Sequence, residues 1–175
     1  MTDDVVVVSW RSAWAQAFAT EEARLRATLG DRVIAIEHIG STSVPGLAAK
    51  PVIDLLAGFR TFADALAAVP LVVADGWELP PEINAKLSNR RFLKRVKDDV
   101  RTHHLHLVEH GGPLWQEYVL FRDALREDAS LRDEYEALKR SLAEKFREQR
   151  ESYTSSKTDF VTRVVAERRR KLAGG

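Results

Sequence analysis

A chain of 175 residues, 45% hydrophobic and 30% charged, is sized for one folded domain with a sizeable core, and its formal net charge of +1 supplies no general attraction for nucleic acid or an anionic membrane. Cysteine is absent, which excludes disulfides and thiolate chemistry. No apolar run approaches membrane-spanning length and the start MTDDVVVVSW lacks the basic segment of a signal peptide, so the expectation is a cytoplasmic protein.

Ser12 precedes a helical pattern that places Trp14, Phe18, Leu25 and Leu29 near one face and Glu21 and Glu22 on the other; Gly30 is set to end it. Val33 to His38 is β-branched and apolar, a buried strand. Gly40 then opens backbone conformations closed to other residues, beside the hydroxyls of Ser41, Thr42 and Ser43. Pro45 and Gly46 close the loop, and the run Pro51 to Ala57 reads as a second strand interrupted only by Asp54. Thr61 to Val69 follows as a short helix stopped by Pro70, Leu71 to Ala74 as a strand, and Asp75-Gly76 as a turn. Trp77 to Ser88, with Pro80-Pro81, reads as a surface loop. A hairpin runs from about Arg91 to Glu109, turning at Asp98-Asp99. From Pro113 the pattern is helical, in three stripes: Leu114, Tyr118, Phe121 and Leu125; Leu131, Tyr135, Leu138 and Leu142; Phe160, Val161, Val164 and Val165. Ser155 or Ser156 is the expected cap of the last helix. The whole is one domain over 1–175, a core over 1–110 and a helical C-terminal part over 113–171.

An acid inside an apolar strand is costly unless it binds something. Strand alternation gives Val52, Asp54 and Leu56 one face and Ile53, Leu55 and Ala57 the other. The fully apolar set belongs under covering helices, so Asp54 points to the more open face. There it is a metal ligand or general base, or else a structural acid satisfied by backbone amides or Lys50. His104 and His106 share a face, with Leu105 and Leu107 opposite; two imidazoles and a neighbouring carboxylate make a transition-metal site, while exposed histidines are the plainer reading. His103 and His110 are expected at the surface. Of Glu37 and His38 only one can see the pocket, and His38 is favoured. Gly40, Ser41, Thr42 and Ser43 can offer amides and hydroxyls to a phosphate, or simply form a tight turn. Arg90, Arg91, Lys94, Arg95 and Lys97 make a basic strand of the kind that blunts a solvated sheet edge. Tyr135 with Lys139 and Tyr153 with Lys157, each spaced i,i+4, either line an anion pocket or pack as tyrosines under snorkelling lysines.

The segment Glu37-His38-Ile39-Gly40-Ser41-Thr42-Ser43-Val44-Pro45-Gly46-Leu47-Ala48-Ala49-Lys50-Pro51, followed by Val52-Ile53-Asp54, resembles the GrpB family. The resemblance extends through His104-Leu105-His106 and Phe121-Arg122-Asp123 to Tyr153-Thr154 and Lys157. That family is similar in turn to the nucleotidyltransferases of polymerase β type, in which a Gly-Ser turn precedes a strand bearing two acids at alternate positions. Gly40-Ser41 and Asp54 match; Leu56 stands where the second acid belongs, so this strand can anchor one metal at most. The resemblance implies an α/β (α+β) fold, a nucleotidyltransferase-like mixed sheet with flanking helices. It adds Arg122 and Lys157 to Gly40, Ser41, Thr42, Ser43 and Lys50 as nucleotide- or phosphate-binding candidates.

The expected function is binding of a nucleotide or other phosphorylated small molecule with a divalent metal at Asp54, with nucleotidyl or phosphoryl transfer as the reaction such a site suggests. Magnesium or manganese is the expected ion; a site completed by His104 and His106 would favour zinc or nickel. Two alternatives stand beside it. One is a catalytically inactive nucleotide-binding or interaction module, the other a metal-dependent hydrolase built on Asp54, His104 and His106.

Overall fold

The apolar runs form one mixed sheet in the computed structural model, which describes residues 5–174. Its strands are β1 (Val33–Ile39), β2 (Ile53–Phe59), β3 (Arg91–Lys97) and β4 (Val100–Glu109), in the order β1-β2-β4-β3. β2 runs antiparallel to β1 and parallel to β4, and β3 is antiparallel to β4. Asp98 and Asp99 both take positive φ, 50° and 61°, the backbone a two-residue hairpin turn of this hand requires.

Register fixes what each face carries, because side chains alternate along a strand. One face presents Ile36, Ile53, Leu55, Ala57, Phe59, Leu93, Leu105 and Leu107 to helices α1 (Ala13–Leu29) and α2 (Phe62–Ala74), forming the largest buried cluster. The other face presents Glu37 and Ile39, then Asp54, Leu56 and Gly58, then His104, His106 and Val108, then Phe92 and Lys94. Helix α4 (Pro113–Glu127) covers only part of it, packing Trp115 on Ile39, Leu56 and Val108. Gly58 permits that approach: a Cβ there would lie 2.7 Å from the Trp115 ring. Helices α5 (Ala129–Lys145), α6 (Arg150–Ser155) and α7 (Thr158–Ala173) follow. Val44 and Leu47, in the loop after β1, bury themselves among Ala124, Leu125, Tyr135, Phe160 and Val164. That loop is therefore held between the sheet and the C-terminal helices.

Several expectations need correction. Pro70 does not end α2; the helix continues to Ala74, so Leu71 to Ala74 is no strand. Ala65, Ala68 and Val72 share the buried face, and their packing outweighs the hydrogen bond that Pro70 cannot donate on the exposed side. Glu21 is buried rather than solvated, and its charge meets Arg95 at 2.8 Å. Trp77 to Ser88 is no free loop. Trp77 is fully buried beneath the Arg95 guanidinium, Pro81–Asn84 forms helix α3, and Asn84 donates to the Pro80 and Phe92 carbonyls while accepting from the Phe92 amide. His103 is half-buried, edge-on to Trp77, on the face away from Asp54. Lys157, not a serine, stands at the start of α7, which carries the whole third stripe, Phe160 to Val165, and a separate short helix, α6, precedes it. Among the described residues no helix is long and apolar enough to cross a membrane.

Candidate functional site

The site is built where β1 leaves the sheet. Gly40 has φ 72° and ψ −178°, and a Cβ on it would lie 2.5 Å from Asp54 Oδ2. Both facts demand glycine: the conformation is costly for any other residue, and the acid occupies the space a side chain would need. Behind this contact the turn is sealed by its own hydroxyls. Ser43 Oγ donates to the Gly40 carbonyl at 2.5 Å. Thr42 Oγ1 reaches the Val52 carbonyl at 3.3 Å and is 3.0 Å from His38 Nε2. Thr42 and Ser43 are buried, so only Ser41 of the three hydroxyls remains at the open side, within reach of the buried Tyr135 hydroxyl.

Asp54 pairs in register with His104, and Leu56 with His106. His104 Nδ1 donates to Asp54 Oδ1 at 3.0 Å, which assigns that proton to Nδ1 and leaves Nε2 as the acceptor nitrogen. Nε2 faces Arg150 Nη2 at 3.4 Å. Both side chains keep some exposure, 16% for His104 and 26% for Asp54. Burial pushes the Asp54 carboxyl up, but the His104 hydrogen bond, with the charge of Lys157 adding to it, prevails and holds it below the ordinary value. His106 lies deeper, between Phe92 and Tyr118 at ring distances of 5.4 and 5.1 Å. Burial and the Arg90 charge push it down to about 3, so it is a neutral ring at pH 7. Its Nδ1 is buried with no hydrogen-bond partner among the described residues.

Two lysines arrive from the C-terminal helices. Lys157 Nζ sits 4.2 Å above the Tyr153 ring and Lys139 Nζ 4.9 Å from the Tyr135 ring, so both i,i+4 pairs form, the first across the break between α6 and α7. Lys139 also donates to the Ala48 carbonyl, whose own amide donates to Glu136 Oε2 at 3.1 Å. Burial pushes Lys139 down to about 7, with Lys157 adding to the effect, and pushes Lys157 down to about 8 against the pull of Asp54. Among the described residues neither ammonium has a carboxylate within ion-pair distance.

The expected residues thus separate. Asp54, His104, Gly40, Ser41 and Lys157 converge. Lys50 is half-buried in the segment leading into β2. Arg122 is buried and engaged by Glu37 at 2.5 Å, Asp123 at 2.9 Å and the His38 carbonyl at 3.1 Å, which makes it a clamp between α4 and β1. The expectation that His38 rather than Glu37 sees the pocket is reversed: Glu37 shares the face of Asp54, and His38 lies on the opposite face, stacked on Phe18 at 4.7 Å and pushed down to about 4 by burial. Arg150, Arg126, Lys139, Arg90 and Tyr118 also come to the site or its rim, and local sequence pattern does not identify them as site residues. Arg126 donates to the Ser43 carbonyl and Arg90 to the Tyr118 hydroxyl. Only the Tyr135–Lys139 spacing hinted at any of them.

The divalent metal does not fit the donor set. Asp54 and His104 are bonded to each other, His106 is turned between aromatic rings, and Leu56 lies in the cluster under Trp115. Among the described residues no group of three or more His, Asp or Glu side chains is placed to hold a metal ion. The expected trio of Asp54, His104 and His106 is therefore one hydrogen-bonded pair and one separate buried imidazole, and neither magnesium or manganese nor zinc or nickel has a prepared site there.

The sequence model of the family described as GrpB protein matches residues 4–167. The glutamate-rich protein GrpB of Alkalihalophilus pseudofirmus is 34% identical over 167 residues, covering 94% of this chain and 95% of that protein. YqkA of Bacillus subtilis is 34% identical over 157 residues; the match takes in 90% of this chain but only 45% of YqkA. The crystal structure of the conserved protein GrpB from Enterococcus faecalis superposes with a TM-score of 0.84 at 31% identity, covering 95% of this chain and 99% of that one. The Cid1 poly(U) polymerase superposes with a TM-score of 0.53 at 16% identity over 79% of this chain and 44% of its own, a likeness of fold alone. A nucleotidyltransferase-like α+β core is thus shared beyond close relatives, and by sequence and structure together the chain belongs to the GrpB family.

Proposed function

We propose that the protein binds a nucleotide or another phosphorylated small molecule at the site where the Gly40-Ser41 turn and the Asp54–His104 pair meet Lys157 and Arg150 from the C-terminal helices. The observation that carries this reading is the placement of two lysines, Lys139 fully buried and Lys157 half-buried within the field of Asp54, with no ion-pair partner for either among the described residues. Uncompensated buried cations are costly, and an anion entering beside them removes that cost. Ser41, Lys157 and Arg150 are the groups that would meet its oxygens, with Lys139 behind them. Bidentate contact from an arginine is well matched to phosphate.

No metal step belongs to this reading. Leu56, packed under Trp115, also speaks against two-cation nucleotidyl transfer, because a charge there would need burial in an apolar cluster. Thermal unfolding with a panel of nucleoside mono-, di- and triphosphates, each in EDTA and in magnesium, tests it. A saturating ligand at about a hundred times its Kd stabilises by roughly 2.7 kcal/mol, and the expected stabilisation persists in EDTA. Stabilisation seen only with added metal, or by no phosphorylated compound, contradicts the reading.

A further inference from the structure

We propose that His104 is a nucleophile whose Nε2 accepts a phosphoryl group, so that the pocket forms a phosphohistidine intermediate. The inference rests on the phosphate-binding reading and adds a covalent step to it. Its basis is the arrangement around one imidazole. Asp54 Oδ1 takes the Nδ1 proton at 3.0 Å, fixing both the tautomer and the ring plane. The Nε2 lone pair is thereby directed away from the carboxylate, towards Arg150 Nη2 at 3.4 Å. That contact is long for a hydrogen bond, and it sets a guanidinium beside the nitrogen that would receive the phosphoryl group. Lys157 lies close enough to act on the Asp54 charge. Phe92 meets the ring edge-on at 5.0 Å and restricts its rotation.

An oriented imidazole, a carboxylate on its far nitrogen and cations ahead of its near nitrogen are the parts such a transfer needs. The donor is a phosphoanhydride such as a nucleoside polyphosphate. The Nε2 lone pair forms the N–P bond as the bridging P–O bond breaks. The leaving phosphate oxygen keeps the electron pair, so a nucleoside triphosphate leaves as the diphosphate. Nδ1 retains its proton, and the positive charge gained by the ring is offset by the Asp54 carboxylate. Arg150 and Lys157 face the negative oxygens of the transferred group. His106 cannot take this part: its ring is buried between Phe92 and Tyr118, and among the described residues its Nδ1 has no carboxylate or other hydrogen-bond partner to orient it.

Potassium phosphoramidate, a small phosphoryl donor selective for histidine, tests the nucleophile without knowledge of the natural substrate. The full-length protein is treated at neutral pH, and the modified residue and ring position are read by peptide mass spectrometry and phosphorus NMR. His104 is expected to react at Nε2, about tenfold or more faster than the exposed His110. Asp54→Asn is expected to slow it while circular dichroism shows the fold retained. Modification of His104 no faster than His110, or at Nδ1, overturns the proposal; the wild-type result decides it even if Asp54→Asn fails to fold. Nucleotide stabilisation without selective His104 modification overturns the covalent step alone. Selective modification without nucleotide stabilisation overturns the nucleotide pocket instead.

Discussion

Gly40 is the residue on which the geometry is most exacting. Gly40→Ala places a methyl 2.5 Å from Asp54 Oδ2 at a φ that disfavours any side chain, so either the turn or the acid must move. The expected loss is about 1–3 kcal/mol in urea unfolding, together with loss of phosphate binding; unchanged stability would show that the turn has slack. The two lysines give a second test. Their folded pKa values, about 7 for Lys139 and about 8 for Lys157, lie below the unfolded value of 10.5. Between those limits the unfolded chain holds protons that the folded chain has released. Stability therefore rises with pH across the window, by up to about 1.4 kcal/mol per unit for each lysine, and the destabilisation is fully present below it. Tyr118 and Tyr153, raised to about 12, reverse the slope once unfolded tyrosine ionises near pH 10. Urea midpoints at pH 7, 8 and 9 should climb in the wild type and climb less steeply in Lys139→Met, where Lys157 alone still titrates; a flat wild-type profile contradicts the burial of uncompensated charge. At this scale Asp54 and His104 were legible because alternation of period two places them without tertiary knowledge. Glu37 and His38 were not: both neighbouring faces of β1 are covered in part, and Ile36, the guide to parity, belongs to the helix-covered face with His38.

The strands and the first and last helices follow local rules. Gly30 caps α1 with φ 56°, Pro113 opens α4, and Asp98-Asp99 turns the hairpin. Where the structure departs from those rules, long-range packing has won. Pro70 is a stop signal by local rules, yet Val72 lies one turn beyond Ala68 on the same buried face, and that packing carries the helix through. Pro70→Ala should restore the missing hydrogen bond to the Leu66 carbonyl and stabilise by about 1–3 kcal/mol. A lower urea midpoint in the variant would mean that the proline shapes α2 rather than burdens it. Trp77 to Ser88 was unreadable because its partners are distant: Arg95 over the Trp77 ring, Lys94 bridging Glu78, and Phe92 bonded to Asn84. Likewise, the segment after β1 owes its place to the helices α4 and α5. Arg126 holds the Ser43 carbonyl, and Lys139 and Glu136 hold the two sides of Ala48.

Across the whole molecule, charge is nearly balanced at +1, and the imbalance that matters is local. Composition excluded a general polyanion surface, but it could not show that Lys157 would come within the field of the strand acid Asp54, with Arg150 at His104 and Lys139 within the field of Lys157. The fold class was legible from the order of strands and helices together with the motif around Gly40; strand alternation could name the donor types Asp54, His104 and His106, but not that among the described residues they form no three-ligand group. The most direct test is calorimetric titration of inorganic triphosphate, the phosphate portion common to nucleoside triphosphates, in EDTA at pH 7. Wild-type protein is expected to bind it, and Lys157→Met to weaken binding by about tenfold, the loss of one charge-assisted contact. No binding in EDTA, or binding unchanged in Lys157→Met, contradicts a phosphate pocket at this site.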